Sequence, residues 1–291
     1  YRELFRHEDI DLIVNAAPSH MHVPVTLEGL NAGFHMLCEK PLARKTSDAD
    51  RLIEASLRTG KTLAVFHQLR LAPAFNQVCR VIHSGVLGRI VQIRLQFNSF
   101  NRRWDWQTLQ SNNGGNLLNT GPHPVDQALQ LFGEDVEPQV LCVMDRANTF
   151  GDAEDYVKLI LRGPGRPTID LEISSCSAYP RDQFNVQGTN GGLRGNGQRL
   201  EWKYFKPEEA PEQKLIREPL VDANGNPTYC QETLIWHEGS WEYKPEGDEG
   251  MYPYMARQLY EMLHRTLTTG APMRSVMLRN KSAIGRPPCF T

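Results

Sequence analysis

The sequence predicts an α/β region with a parallel sheet, followed by a larger α+β region built on an open antiparallel sheet with flanking helices. Short apolar runs alternate with helical segments over residues 11–67, whereas the strands from residue 90 onward alternate apolar and polar side chains. Continuous apolar runs are typical of parallel strands buried on both faces, and strict alternation is typical of a sheet with one wet face. We place the domain boundary after residue 71, which gives domains 1–71 and 72–291.

The first region contains predicted strands at 11–17, 34–38 and 61–67, with helices at 22–33 and 46–60. Each helix ends at a glycine, as expected for a residue that accepts the left-handed conformation of a helix stop. Strand and helix alternate at a spacing that indicates parallel strands joined by right-handed crossovers.

The second region begins with a helix predicted at 75–84. Alternating strands are then predicted at 90–98, 139–145, 156–162 and 168–175. We interpret the glycine-rich run 188–197 as turn material, 206–250 as a long irregular excursion and 252–269 as a final helix.

Composition excludes several classes of function. Lys and Arg number 32 and Asp and Glu 34, for a formal charge of −2, without the basic excess typical of a nucleic-acid binder. The apolar runs are shorter than the roughly 18 residues of a membrane span, so we expect no membrane partner. The six cysteines form no CxxC pair; we therefore expect no metal site, and free thiols in a reducing compartment. No signal segment opens the chain, so the sequence predicts a cytoplasmic protein.

The first of three chemically suggestive segments follows the first strand and includes Pro18, Ser19 and His22. Ligands bind beyond the carboxyl ends of strands in open α/β sheets, and the next helix offers free N–H groups there. A loop histidine without a role fits this segment alone equally well.

The second segment is Glu39-Lys40-Pro41, at the end of the next strand. A lysine partly withdrawn from water has a lowered pKa and can exchange protons with a substrate oxygen. Taken alone, an ordinary surface lysine is the more common interpretation.

The third segment runs from residue 114 to 126. Proline is favoured at the first helical position, so Pro124 predicts a helix start there, with His123 at or just before the N-terminus. The helix dipole would keep the ring neutral, as a general base near pH 7 requires. Gly115 and Gly121 permit close approach of a ligand or backbone. A helix-capping histidine is the alternative.

Together these segments resemble the glucose–fructose oxidoreductase/inositol dehydrogenase (Gfo/Idh/MocA) family. The shared motifs are Pro-x-x-x-His, Glu-Lys-Pro and Gly-Gly-x-Leu-x-(Asp/Asn)-x-Gly-x-His-x-x-Asp, and the resemblance is strong over residues 11–133. It implies a Rossmann domain that binds NAD or NADP, and hydride transfer between the nicotinamide and a hydroxyl of a sugar, inositol or related polyol.

The resemblance also implies roles for individual residues. Lys40 would hydrogen-bond the reacting oxygen and relay its proton, and His123 would be the base. Other residues would line the nicotinamide and ribose, namely Pro18, Ser19, His22 and Glu39. Pro41 would be structural, Asp126 would brace the site, and Arg70 matches a family position near the cleft.

Two further features bear on the substrate. Asn119 stands where many members of the family have Asp, and an amide can hold substrate but cannot stabilise a nearby positive charge. Trp104 and Trp106, beside Asp105 and Gln107, suit a sugar, because an aromatic ring stacks on its C–H face and polar groups meet its hydroxyls. Packing between domains is the equal alternative for the tryptophans.

The family's glycine-rich phosphate loop lies in the first βα turn, with an acidic ribose-binding residue about 20 residues later. Neither is in this sequence, so we expect a partial Rossmann sheet that lacks roughly its first two βα units, and weak NAD binding by this polypeptide. The glycines at 188–197 neither follow a buried strand nor open a helix, which argues against a dinucleotide loop.

Two alternatives stay open at this point: a non-catalytic sugar-binding or scaffold member of the same fold, and an NAD-dependent glycoside hydrolase. Redox-neutral epimerisation or elimination is also compatible with the residues. By resemblance we expect a homodimer or homotetramer formed through the wet face of the antiparallel sheet.

Overall fold

The computed structural model describes residues 1–133, 135–245 and 249–273. The first sheet is parallel and has the order β1-β2-β3. Its strands are β1 (Leu12–Asn15), β2 (His35–Cys38) and β3 (Leu63–Val65), and the helices between them are α1 (His22–Asn31) and α2 (Thr46–Thr59). The predicted parallel sheet is therefore confirmed.

The core of this sheet is centred on β2, where Met36, Leu37 and Cys38 are fully buried. Gly29 in α1 faces Met36 so closely that a β-carbon there would overlap the Met36 sulfur. The missing side chain lets α1 lie directly on the sheet. Helix α2 ends at Gly60, which adopts the left-handed conformation with φ of 68°, as predicted.

The second sheet has eight strands in the order β11-β10-β9-β8-β4-β7-β6-β5. Neighbouring strands are antiparallel except for the parallel pair β4 and β7. The strands are β4 (Ile90–Asn98), β5 (Gln139–Asp145), β6 (Tyr156–Arg162), β7 (Thr168–Ser174), β8 (Phe184–Gly188), β9 (Gly191–Gly195), β10 (Arg199–Tyr204) and β11 (His237–Glu242). The four strands expected from alternation are confirmed.

Two predictions in this region were wrong. The glycine-rich run 188–197 is not turn material, because Gly191–Gly195 forms β9, paired with β8 and β10. Glycines carry no side chain, so they hide the alternation that marks a strand; a β-carbon on Gly191 would also strike the backbone of β10. The excursion 206–250 contains β11, whose mainly polar sequence likewise gives no alternating signal.

Four helices complete the described chain. They are α3 (Pro73–His83), α4 (Asn116–Asn119), α5 (Pro122–Phe132) and α6 (Met251–Thr269). Helices α3 and α5 bury Phe75 and Phe132 against the apolar face of the large sheet. The opposite face is polar and carries an ion pair between Lys158 and Asp170.

Helix α6 packs against the cores of both sheets. Its Met255 joins the core of the large sheet, while Leu259 and Leu263 pack against Leu37 and Phe66 of the parallel sheet. This packing holds the carboxyl end of the parallel sheet beside the second domain. The predicted domain 72–291 extends past residue 273, the last described one. No helix among the described residues has both the length and the apolar character that a membrane span requires.

Candidate active site

The carboxyl ends of β1, β2 and β3 lie side by side, because Asn15 is in register with Cys38 and Cys38 with Val65. The loops that follow these three strands therefore meet at one edge. The start of α5 lies against the same edge, so the three segments identified in the sequence come together with a fourth segment, the one that follows β3.

Lys40 reaches from the β2 loop to the second domain. Its Nζ donates a hydrogen bond of 2.8 Å to the backbone carbonyl of Asn119. Burial lowers the pKa of this partly buried lysine, and the neighbouring Glu39 carboxylate opposes that shift. Because the net direction is downward, Lys40 loses its proton more readily than a lysine in water, as proton exchange with a substrate requires.

His123 is the second residue of α5 and is only 9% exposed. The sequence predicts a helix start at Pro124, but the helix begins two residues earlier, at Pro122. Both prolines are tolerated there, because the first N–H groups of a helix have no intrahelical partner. The pKa of His123 is lowered to about 3, first by burial and then by the charges of His67 and Lys40. The ring is therefore neutral at pH 7, with burial rather than the helix dipole as the principal cause.

His67, which our sequence interpretation did not select, lies beside His123. The two ring centroids are 5.7 Å apart and the ring planes are perpendicular. Burial lowers the pKa of His67, Asp126 opposes the shift, and Arg70 and Lys40 add to it. Its position in the sequence could have identified it, because it ends the third apolar run. Ligands bind beyond the carboxyl ends of strands in open α/β sheets, and His67 lies at such an end just as Lys40 does.

Asp126 follows His123 by nearly one helical turn and forms a two-point ion pair with Arg70, which lies in the segment after β3. Arg70 Nε lies 2.7 Å from Asp126 Oδ2, and a second guanidinium nitrogen donates to Oδ1. Gln130 Nε2 also donates to Asp126 Oδ2 at 2.8 Å. These bonds fix the first turns of α5 against the parallel-sheet domain.

The Asn119 side chain is held by Gln107. The two amides exchange hydrogen bonds of 3.3 Å and 3.4 Å, and Gln107 Oε1 also accepts one of 2.5 Å from Arg103. Arg103 in turn pairs with Asp105. The amide at position 119 is thereby oriented by a polar chain from the loop after β4.

Trp104 and Trp106 lie in that same loop, where Trp104 is 79% and Trp106 44% exposed. Both rings therefore keep a face accessible to solvent, and Trp106 is the more covered of the two. Asp105 accepts a hydrogen bond from the Gln107 backbone N–H and begins the short turn Trp106–Thr108.

His22 does not line the cleft, contrary to what the family resemblance implied. It is 2% exposed, and its ring nitrogens lie 2.7 Å from the Pro41 carbonyl and 2.8 Å from the Ala17 carbonyl. His22 thus ties the loop after β1 to the loop after β2. The Pro-x-x-x-His motif locates His22 in the sequence. It does not show that the ring turns inward, because that orientation depends on the Pro41 and Ala17 carbonyls.

The remaining predicted cofactor residues reach solvent at the strand edge: Pro18 is exposed, and Ser19 and Glu39 are half-buried. A hydroxyl and a carboxylate are suitable partners for ribose hydroxyls, and Lys40 directly follows Glu39 in the sequence. These residues therefore fit the nicotinamide and ribose end of a dinucleotide. Among the described residues, no cluster of His, Cys, Asp and Glu could hold a metal ion.

The fold thus combines a parallel sheet flanked by helices with a large, mostly antiparallel sheet, and polar residues of both regions meet at the carboxyl edge of the parallel sheet. Residues 1–67 match the family described as an oxidoreductase family with an NAD-binding Rossmann fold. Residues 75–194 match the GFO/IDH/MocA C-terminal domain. The chain belongs to the Gfo/Idh/MocA oxidoreductase family.

Relatives with curated names support this assignment. An uncharacterized oxidoreductase of Schizosaccharomyces pombe is 26% identical over 72% of this chain and 57% of its own length. A 2,7-anhydro-N-acetylneuraminate hydratase of Escherichia coli is 24% identical over 64% of this chain and 51% of its own. A scyllo-inositol 2-dehydrogenase (NADP(+)) of Bacillus subtilis is 28% identical over 55% of this chain and 44% of its own. The chain thus spans about half the length of these relatives.

Among solved structures, a similar fold is that of the WlbA dehydrogenase from Bordetella pertussis in complex with NADH and UDP-GlcNAcA. The TM-score is 0.69 and the sequences are 19% identical, over 94% of this chain and 74% of that one. This likeness extends through both domains and concerns the fold.

Proposed function

We propose that this protein transfers a hydride between a hydroxyl-bearing carbon of a sugar or polyol and NAD or NADP. The observation that carries the proposal is the 2.8 Å hydrogen bond from Lys40 to Asn119. It holds an ammonium of lowered pKa at the edge where the carboxyl ends of three parallel strands meet α5 and its neutral histidine.

Each residue of the site has a task in this reaction. Lys40 hydrogen-bonds the reacting oxygen and exchanges its proton, and His123 is the neutral group that shares that proton. The Asn119 amide holds a second substrate hydroxyl, and the exposed rings of Trp104 and Trp106 offer a surface for the C–H face of the sugar. When bound, the nicotinamide supplies the hydride acceptor or donor.

The substrate class is supported from two sides. The site is rich in groups that hydrogen-bond hydroxyls, and two of its cations, Arg70 and Arg103, are held in ion pairs with Asp126 and Asp105. One relative is named for the oxidation of scyllo-inositol with NADP+. We therefore propose an uncharged polyhydroxylated ring as the substrate.

The experiment is reduction of NAD+ or NADP+ by the natural full-length chain, followed by absorbance, with scyllo-inositol, myo-inositol and aldopyranoses as substrates. Lys40→Met should lower turnover about 100-fold, the usual scale for a positioned acid–base group. Lys45→Met, which removes an exposed lysine outside the site, is the matched control and should retain it. Equal activity of both variants would contradict the proposal.

A redox-neutral reaction is the second candidate, favoured by the relative named as a hydratase. Consumption of a substrate without net NADH or NADPH would identify it. Release of free sugar from an aryl glycoside would identify the NAD-dependent glycoside hydrolase, and sugar binding without any turnover would identify the non-catalytic member.

We also propose that the protein is a homodimer or homotetramer formed through the polar face of the eight-stranded sheet. This face carries Arg94, Lys158, Asp170 and Glu172, which are linked by ion pairs. Light scattering at micromolar concentration should give at least twice the monomer mass. A monomer would contradict this proposal without affecting the catalytic one.

A further inference from the structure

The contact between His67 and His123 crosses the boundary between the two family domains. His67 is the last residue of the segment that matches the NAD-binding domain, and His123 lies in the segment that matches the C-terminal domain. Their rings are perpendicular, with centroids 5.7 Å apart, within the range of edge-to-face aromatic contacts.

Neither ring is oriented by a hydrogen bond at Nδ1. Both Nδ1 atoms are buried and have no hydrogen-bond partner among the described residues. A histidine that takes part in proton transfer is commonly oriented through its second nitrogen by a carboxylate or a carbonyl. Asp126, the carboxylate nearest in sequence to His123, is instead occupied by Arg70 and Gln130.

Because the His123 Nδ1 has no partner among the described residues, that nitrogen does not orient the ring. An imidazole that lacks a hydrogen bond at Nδ1 turns more easily about its side-chain bonds unless neighbouring atoms block the rotation. Among the described residues, the His67 ring packs against the His123 ring at a right angle.

We propose that His67 is a positioning residue: its ring fixes the orientation of the His123 ring from the cofactor domain, by edge-to-face packing rather than by a hydrogen bond. The catalytic consequence rests on the function proposed above. Because of this contact, the orientation of His123 depends on how the two family domains pack together. The proton-sharing ring is therefore aligned with the domain that would hold the nicotinamide.

Burial is the first cause that keeps both rings of the pair neutral. Burial is the largest cause that disfavours the protonated form of His67. Asp126 favours that form, whereas Arg70 and Lys40 disfavour it. Lys40 opposes protonation of either ring, and His67 opposes protonation of His123. Neutral rings can pack closely at pH 7 without repulsion.

The test compares His67→Phe, which keeps a flat ring, with His67→Ala, which removes it. Imidazole ¹⁵N NMR of the full chain measures the signals of the His123 ring and their titration with pH. Steady-state kinetics with scyllo-inositol and NADP+ give kcat and KM. His264→Ala, at an exposed position of α6, is the control that removes a histidine remote from the pair.

We expect His67→Phe to keep the His123 signals and its low pKa, with kcat within about twofold of the wild type. We expect His67→Ala to broaden those signals and to move the His123 pKa upward toward 6.5, because water enters the space beside the ring. Its kcat should fall about tenfold with KM within about twofold, since misorientation affects the chemical step more than binding.

Two results would overturn the proposal. If His67→Ala leaves the His123 signals and titration unchanged, the ring is oriented by something else. If His67→Phe fails in the same way as His67→Ala, then the nitrogen atoms of His67 are needed and packing is not the mechanism. Absence of NADP+ reduction by the wild type would count against the proposed function, while the NMR comparison would still decide the positioning role.

Discussion

A 2.8 Å hydrogen bond joins the Lys40 ammonium to the backbone carbonyl of Asn119, although 79 positions separate the two residues. The bond connects the end of a central strand of the parallel sheet to α4, just ahead of His123. One ammonium hydrogen is used in this bond, and an ammonium has three. The others remain for a substrate oxygen, and the bond itself orients the lysine toward the cleft.

The lowered pKa of Lys40 predicts the pH dependence of alcohol oxidation. The neutral amine is the form that accepts a proton, so the rate should rise with pH through the Lys40 pKa, which lies below the 10.5 of an ordinary lysine. Initial rates measured at saturating cofactor from pH 6 to 10 test this. A rate that falls as the pH rises through this range would contradict it.

Replacement of Asn119 by Asp should move that profile to higher pH. A carboxylate on the residue whose backbone carbonyl accepts from Lys40 adds a negative charge near the ammonium and raises its pKa, while that carbonyl is unchanged. Gln107 Nε2 can still donate to the new oxygen, so the site should remain assembled. Asn116→Asp, close in sequence but hydrogen-bonded to Asp155 and Ser175, provides the comparison, and an unshifted profile for Asn119→Asp would contradict the prediction.

The buried, neutral His123 predicts sensitivity of the fold to acid. Its pKa is about 3 in the folded protein and 6.5 as an ordinary histidine, so the unfolded chain binds the additional proton between these values. The free energy of unfolding should therefore fall as the pH drops from 6.5 toward 3, by about 1.4 kcal/mol per unit for one such group. Urea unfolding at several pH values measures the slope, and His123→Gln should flatten it. An equal slope in the variant would show that His123 does not contribute.

The ion pair between Arg70 and Asp126 is shielded from solvent, so its loss should lower the free energy of unfolding more than the loss of an exposed ion pair. Both side chains are largely shielded from solvent, so Asp126→Asn leaves the guanidinium without its carboxylate and should cost about 2 kcal/mol or more. The exposed pair between Arg257 and Glu261 on α6 is the control, and Glu261→Gln should cost less than about 0.5 kcal/mol. Similar losses in both variants would contradict the bracing role of Asp126.

Local pattern was sufficient for much of the fold. Strands Gln139–Asp145 and Tyr156–Arg162 lie at the residues that alternation predicts. One face of Tyr156–Arg162 is packed and the other is wet, whereas Gln139–Asp145 forms the edge of the sheet and is exposed along its whole length. The glycines of β9 and the polar residues of β11 carry no such signal, since their strand conformation is set by pairing with β10.

The site residues also fall into two groups: those that the motifs identify and those that depend on tertiary contacts. The motifs identified Lys40, Asn119 and His123, which the structure brings together at one edge. They could not reveal that His22 turns inward to two carbonyls, because that rotation depends on the Lys40–Pro41 loop. They also missed His67, whose place beside His123 arises only when the two domains meet.

The most direct test of the central claim is the turnover of His123→Ala measured beside the wild type, with NAD+ or NADP+ and the best substrate of the polyol panel. We predict NAD(P)H formation by the wild type and a loss of about 100-fold in kcat for the variant, with its fold retained by circular dichroism. Turnover near the wild-type value in a folded His123→Ala protein would contradict the account and remove His123 from the chemistry.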